Sequence, residues 1–134
     1  MPAHFLVTLP NFLAYLGTAI VLLAAFVTIY LYVTPYDEIA LIRANNTAAA
    51  ISLSGALLGF AMPIANVIAH SDTLLDLAVW GVIAGAVQLL AWIVARVALP
   101  RLQEDIAAGR VAPATIVAAL SLTVGLLNAA CMTY

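Results

Sequence analysis

Residues 45–69 read NNTAAAISLSGALLGFAMPIANVIA, and no charge interrupts them. At 1.5 Å per residue, an α-helix of about twenty such residues crosses a hydrocarbon layer of about 30 Å. With a helical period of 3.6, Ser52, Gly55, Gly59, Pro63 and Asn66 fall on one side, while Leu53, Leu57, Leu58, Phe60 and Ile64 spread over the rest. Lipid tails are as apolar as leucine, so two membrane helices gain little by burying apolar surface against each other. They associate where small side chains let the backbones approach and a few polar groups hydrogen-bond. The stripe therefore predicts a packing seam for a neighbouring helix.

The whole chain shares this character. Its 134 residues are 66% hydrophobic and 7% charged, against about a quarter charged in ordinary soluble domains, and the mean hydropathy is +1.17. The expectation is an integral membrane protein. The four basic residues are all arginine and the net charge is -2, which argues against a nucleic-acid partner, because phosphate neutralisation needs clustered Lys and Arg. Cys131 is the single cysteine; it has no intramolecular disulfide partner, and with no cation near it in sequence it reads as a buried structural thiol. The amino terminus lacks the basic n-region of a secretory signal, so the first apolar run is expected to be retained.

Outward from residues 45–69, a first span covers Phe12 to Val33, with Gly17, Val21, Ala24 and Thr28 on one face and Tyr30 and Tyr32 near its end, where an interfacial aromatic belt would sit. Thr34-Pro35 should end it, since the residue before a proline avoids the α region. The following YDEIALIRAN alternates charged and apolar groups and predicts a short helix in the headgroup plane. Asn45 and Asn46 can cap the second span, which begins near Thr47. Residues 70–73 are the only hydrophilic break before a third span, Leu74 to Leu99, and a connection so short makes spans two and three antiparallel neighbours. The third span carries Gly81, Ala84, Gly85, Gln88 and Trp92 on one face. Pro100 closes it, the mixed segment RLQEDIAAGRVAP follows, and a fourth span runs from about Ala112 to Met132 with Ala114, Ser121, Gly125, Asn128 and Met132 on one face. The stripes of spans two and four are expected to face one another.

Each half thus reads as a span, a proline, a surface segment and a small-residue span. An offset of 65 residues places Tyr15 on Trp80 and Pro35 on Pro100, and one more places Ala48 on Ala114 and Gly59 on Gly125. This predicts an internal duplication, with repeat one at about 12–69 and repeat two at about 74–132 of a single membrane domain, 1–134. Two spans per unit give the units the same orientation, related by an axis along the membrane normal. Arg43 follows span one, and Arg96, Arg101 and Arg110 lie at or in the connection after span three, while residues 70–73 hold no arginine. The positive-inside rule then puts both long connections in the cytoplasm and both termini outside.

The polar groups inside the spans, Asn66, Gln88 and Asn128, could line a hydrated path, but the simpler expectation is hydrogen bonding between helices. Asp37 and Glu38, and Glu104 with Asp105, form pairs after the two prolines. Paired carboxylates can share a proton or collect a cation; here they are expected to keep surface segments in water. His4 and His70 lie outside the span interiors, which argues against a haem held in the bilayer, and two histidines with one cysteine have no metal-ligand spacing. No nucleophile has a base at a useful spacing, and there is no P-loop or dinucleotide fingerprint. Catalytic residues, cofactors and metals are therefore all absent from the expectation.

Three stretches carry a resemblance: TPYDEIALIRANNTAAAISLSGALLGFAMPIANVIAHS, then WGVIAGAVQLLAWIVARVALPRL, then the terminal GLLNAACMTY. They resemble the YjfL family of bacterial inner-membrane proteins, which share domain of unknown function 350. The resemblance implies a small four-span inner-membrane protein built of two two-span units. Family members often have gene neighbours resembling phage-shock membrane-remodelling proteins and ATP-grasp ligases, which implies a membrane-stress or polyamine-linked setting and no biochemical activity. The motif positions Glu38, Asn45, Asn46, Thr47, Ser52, Ser54, Gly55, Gly59, Pro63, Asn128 and Cys131, with Asn66, Gln88, Ser121 and Gly125 from the helix stripes, are candidates for shared structure or an unassigned site. The expected molecule is an all-α, four-span homo-oligomer that scaffolds a cytoplasmic partner; the rival expectation is an oligomeric channel for an ion or small polar solute.

Overall fold

A computed structural model describes residues 2–34, 37–71 and 73–132, with side chains from residue 6 onward. Pro35, Tyr36 and Asp72, each given a part in the sequence reading, lie outside the described residues, as does the side chain of His4. Among the described residues there are six helices and no strand: α1 Pro2–Val33, α2 Glu38–Arg43, α3 Thr47–His70, α4 Leu74–Ala98, α5 Leu102–Ala107 and α6 Val111–Cys131. Helices α1, α3, α4 and α6 are long and apolar enough to cross a membrane. The chain is an all-α integral membrane protein.

Local chemistry sets the helix ends. Asn46 caps α3, its side chain accepting from the Ala49 amide at 3.0 Å, and Thr73 caps α4 by accepting from the Asp76 amide at 3.2 Å. Both short helices close with a left-handed residue, Asn45 at φ 66° and Gly109 at φ 81°, and the next amide reaches back to Leu41 or Asp105. The expected spans agree with these bounds except at α1, which starts ten residues before Phe12 and runs through Pro10. In lipid a backbone that leaves the helix finds no water to bond, so a helix tolerates a proline more readily than it unwinds.

Helices α3 and α6 form the centre and run parallel. A Cβ built on Gly55 would meet the Ala118 backbone, one on Gly59 the Ser121 carbonyl, and one on Gly125 the backbone of Gly59. The two small-residue stripes do face one another, at a separation only glycine permits. Helix α4 returns antiparallel to α3 and lies along both, with Gln88 against Gly59 and Ser121. Helix α1 packs outside, chiefly on α4 and α3. Leu22 fills the space over Gly81, and Phe26 stacks on Phe60 with ring centroids 4.4 Å apart, a geometry worth about 0.5–1.5 kcal/mol beyond burial.

This outer contact decides the surroundings of three groups of residues. Phe60 and Ile64 are buried, because α1 and α4 cover a second flank of α3 beside the glycine stripe. Tyr30 is 1% exposed and belongs to the core, whereas Tyr32 is 86% exposed and suits the interfacial belt. The stripe Gly17, Val21, Ala24 and Thr28 faces away from the bundle, and a Cβ at Gly17 would meet nothing.

Candidate functional site

The centre of the molecule is a polar clasp created by a proline. Pro63, buried within α3, has no N–H and so leaves the carbonyl four residues back, that of Gly59, without its usual intrahelical donor. Gln88 of α4 supplies one. Its Nε2 donates to Gly59 O at 3.1 Å and to Ser121 O of α6 at 3.2 Å. One buried amide thus joins three helices, and both of its hydrogens are used. Among the polar residues expected to bond between helices, Gln88 and Asn66 do so: Asn66 Nδ2 donates to Ala129 O at 2.8 Å and binds the carboxyl end of α6 to α3. Asn128 is half-buried, and its Nδ2 is enclosed without a hydrogen-bond partner among the described residues.

Toward the end that carries the arginines lies a second polar layer. The hydroxyls of Tyr30 and Ser52 are 3.4 Å apart, the Tyr30 ring meets Trp92 edge-on, and the Arg96 guanidinium lies 5.6 Å from the Trp92 ring centroid. Sequence reading picked out Ser52 and placed Trp92 on the packed face of α4. It missed Phe26 and Tyr30 as core groups, because an apolar residue facing lipid and one facing a helix look alike in sequence.

At the same end α2 and α5 sit against the bundle. Leu102 and Ile106 are fully buried beneath α5, and Asn46 Nδ2 donates to Ile106 O at 2.9 Å while its oxygen caps α3. These segments are therefore packed against the ends of the long helices. The expectation that all four paired carboxylates stay in water fails for Glu38: Asp37 and Glu104 are exposed and Asp105 pairs with Arg110 at 3.3 Å, but Glu38 is only 1% exposed. As the first residue of α2 it is carried inward when that helix docks. Asn45 and Thr47 remain exposed at the turn into α3. Cys131 is corrected as well: it is exposed at the end of α6, on the side turned from the seam.

Two apolar hollows of about 230 and 190 Å³ flank α1, one lined by Phe26, Phe60 and Gly85, the other by Leu23, Ile64 and Ile68. Among the described residues no three His, Cys, Asp or Glu side chains converge as metal ligands.

The comparisons agree with this architecture. The family model for the Domain of Unknown Function (DUF350) matches residues 4–132. The UPF0719 inner membrane protein YjfL of Escherichia coli strain K12 is 36% identical over 131 residues, covering 98% of this chain and 99% of that protein. The UPF0719 transmembrane protein YshE of Bacillus subtilis strain 168 is 29% identical over 92 residues, 69% of each chain. No solved structure matches. Four apolar helices, the shared domain over almost every residue and a near full-length relative from a bacterial inner membrane together place this chain in the DUF350 family of membrane proteins.

Proposed function

We propose that this chain is a non-enzymatic inner-membrane module that presents α2 and α5 to the cytoplasm as a platform for a protein partner, in the membrane-stress setting that the family resemblance implies. One observation carries the reading: both short helices sit at the same end of the bundle, α2 with Glu38 buried and α5 held through Asn46, Leu102 and Ile106, and they leave Asp37, Arg43, Arg101 and Glu104 exposed. A rigid scaffold bearing exposed charges suits selective recognition. All four arginines lie at or beyond that end of the long helices, which supports a cytoplasmic platform with both termini and residues 71–73 outside.

The two halves repeat the order long helix, six-residue helix, long helix, with the left-handed residues Asn45 and Gly109 64 positions apart. The glycines that meet, Gly59 and Gly125, are the pair aligned by an offset of 66. This supports an ancestral duplication about an axis between α3 and α6. The outward stripe of α1 supports a homo-oligomer, since its small residues allow a second copy to approach.

Charge reversal at Arg43, Arg101 and Glu104 keeps the buried anchors and tests the platform. The expected result is loss of co-purifying partner from solubilised membranes with the helical content unchanged; undiminished recovery contradicts the reading. The channel reading has less support, because Asn66 and Gln88 direct their amide hydrogens to carbonyls of the same chain. Selective ion flux in proteoliposomes would reverse that preference.

A further inference from the structure

The Gln88 amide has a fixed orientation. Its Nε2 faces two carbonyl oxygens, so exchanging the amide oxygen and nitrogen would set three acceptors against one another. Its Oε1 is thereby committed as an acceptor, and this atom is buried with no hydrogen-bond partner among the described residues. Trp92 lies one helical turn further along the same face of α4. Its indole Nε1–H, a donor only, is likewise buried and unpartnered among the described residues, and both residues are 2% exposed. Helical side chains lean toward the amino terminus, which carries the Trp92 indole over the turn that holds Gln88.

An acceptor and a donor on side chains one helical turn apart ask for a small molecule that can both accept and donate. Buried water typically takes this role at otherwise unsatisfied polar groups. The same face of α4 continues with the small residues Ala91 and Ala95, both buried. We propose that a single long-lived water binds between Gln88 and Trp92 at the mid-bundle seam, accepting from the indole N–H and donating to the amide oxygen. The site lies beside the break that Pro63 makes in α3, where Gln88 Nε2 meets the freed Gly59 carbonyl. This inference rests on neither functional reading above.

The test uses the full chain in lipid nanodiscs, labelled with 15N at tryptophan, so that only two indole N–H signals appear. Replacement of Trp80 by Phe assigns the remaining signal to Trp92. The expected result is a direct cross-relaxation peak between the Trp92 indole proton and water, together with its loss in Gln88→Met. The proposal is overturned if the Trp92 indole shows no water peak, or if the peak persists in Gln88→Met at full intensity.

Discussion

At the scale of single residues, the account turns on Pro63 and Gln88. A proline within a membrane helix ordinarily leaves one carbonyl unsatisfied, and an enclosed acceptor without a partner costs about 1–3 kcal/mol. Gln88 meets that demand from another helix, so the two residues are energetically linked. Gln88→Leu should lower unfolding stability by about 1–2 kcal/mol, near the upper range for interhelical hydrogen bonds in membranes. In a Pro63→Ala background the restored N–H takes Gly59 O, and the same change should cost clearly less. A double-mutant cycle by denaturant unfolding in detergent micelles measures the coupling, and additive costs would separate the pair. Tyr30 offers a second contrast. Its hydroxyl contact with Ser52 is long at 3.4 Å, while its ring packs on Phe26 and Trp92. Tyr30→Ala should lose about 3 kcal/mol or more, and Tyr30→Phe, which keeps the ring, should cost clearly less; thermal unfolding of the two variants distinguishes ring from hydroxyl.

At the scale of elements, much was legible in the sequence where one helix carries its own signal. The cap at Asn46, the seam of Ser52, Gly55 and Gly59, and the short turn before Leu74 each follow from spacing and side-chain chemistry. Properties that depend on a third element were not legible. Phe60 and Ile64 are buried because α1 lies across them, and helical periodicity within α3 contains nothing about α1. Glu38 is hidden by the docking of α2, although its neighbours Asp37 and Ile39 are exposed and its own charge suggests water. Asn46 shows how one residue serves two elements, capping α3 with its oxygen and holding α5 with its nitrogen. Asn46→Ala should cost about 1 kcal/mol from the cap. It should also speed amide hydrogen exchange across Leu102–Ala107 while the middle of α4 keeps its protection. Uniform change across both helices would mean that α5 is held by other contacts.

At the scale of the whole molecule, stability and orientation have separate causes. The arginines bias orientation through their distribution across the bilayer, and the exposed thiol of Cys131 gives a natural reporter. In intact spheroplasts a membrane-impermeant maleimide should label Cys131, whereas an Arg43→Cys, Cys131→Ser variant should be labelled only after permeabilisation; the reverse pattern would invert the topology. Stability, by contrast, comes from how closely α3 and α6 approach. The chain holds a matched pair of glycines for this question: Gly59 lies against α6, and Gly17 lies on the open face of α1. In a helix with free surroundings Gly→Ala is favourable by about 0.8–1 kcal/mol, but a methyl group driven into fixed backbone costs about 1–3 kcal/mol or more. The most direct test is therefore the unfolding free energy of Gly17→Ala and Gly59→Ala in the same detergent micelle, at dilution that keeps the chain monomeric. The account predicts opposite signs, a gain at Gly17 and a loss at Gly59; equal gains at both would contradict a tight α3–α6 seam.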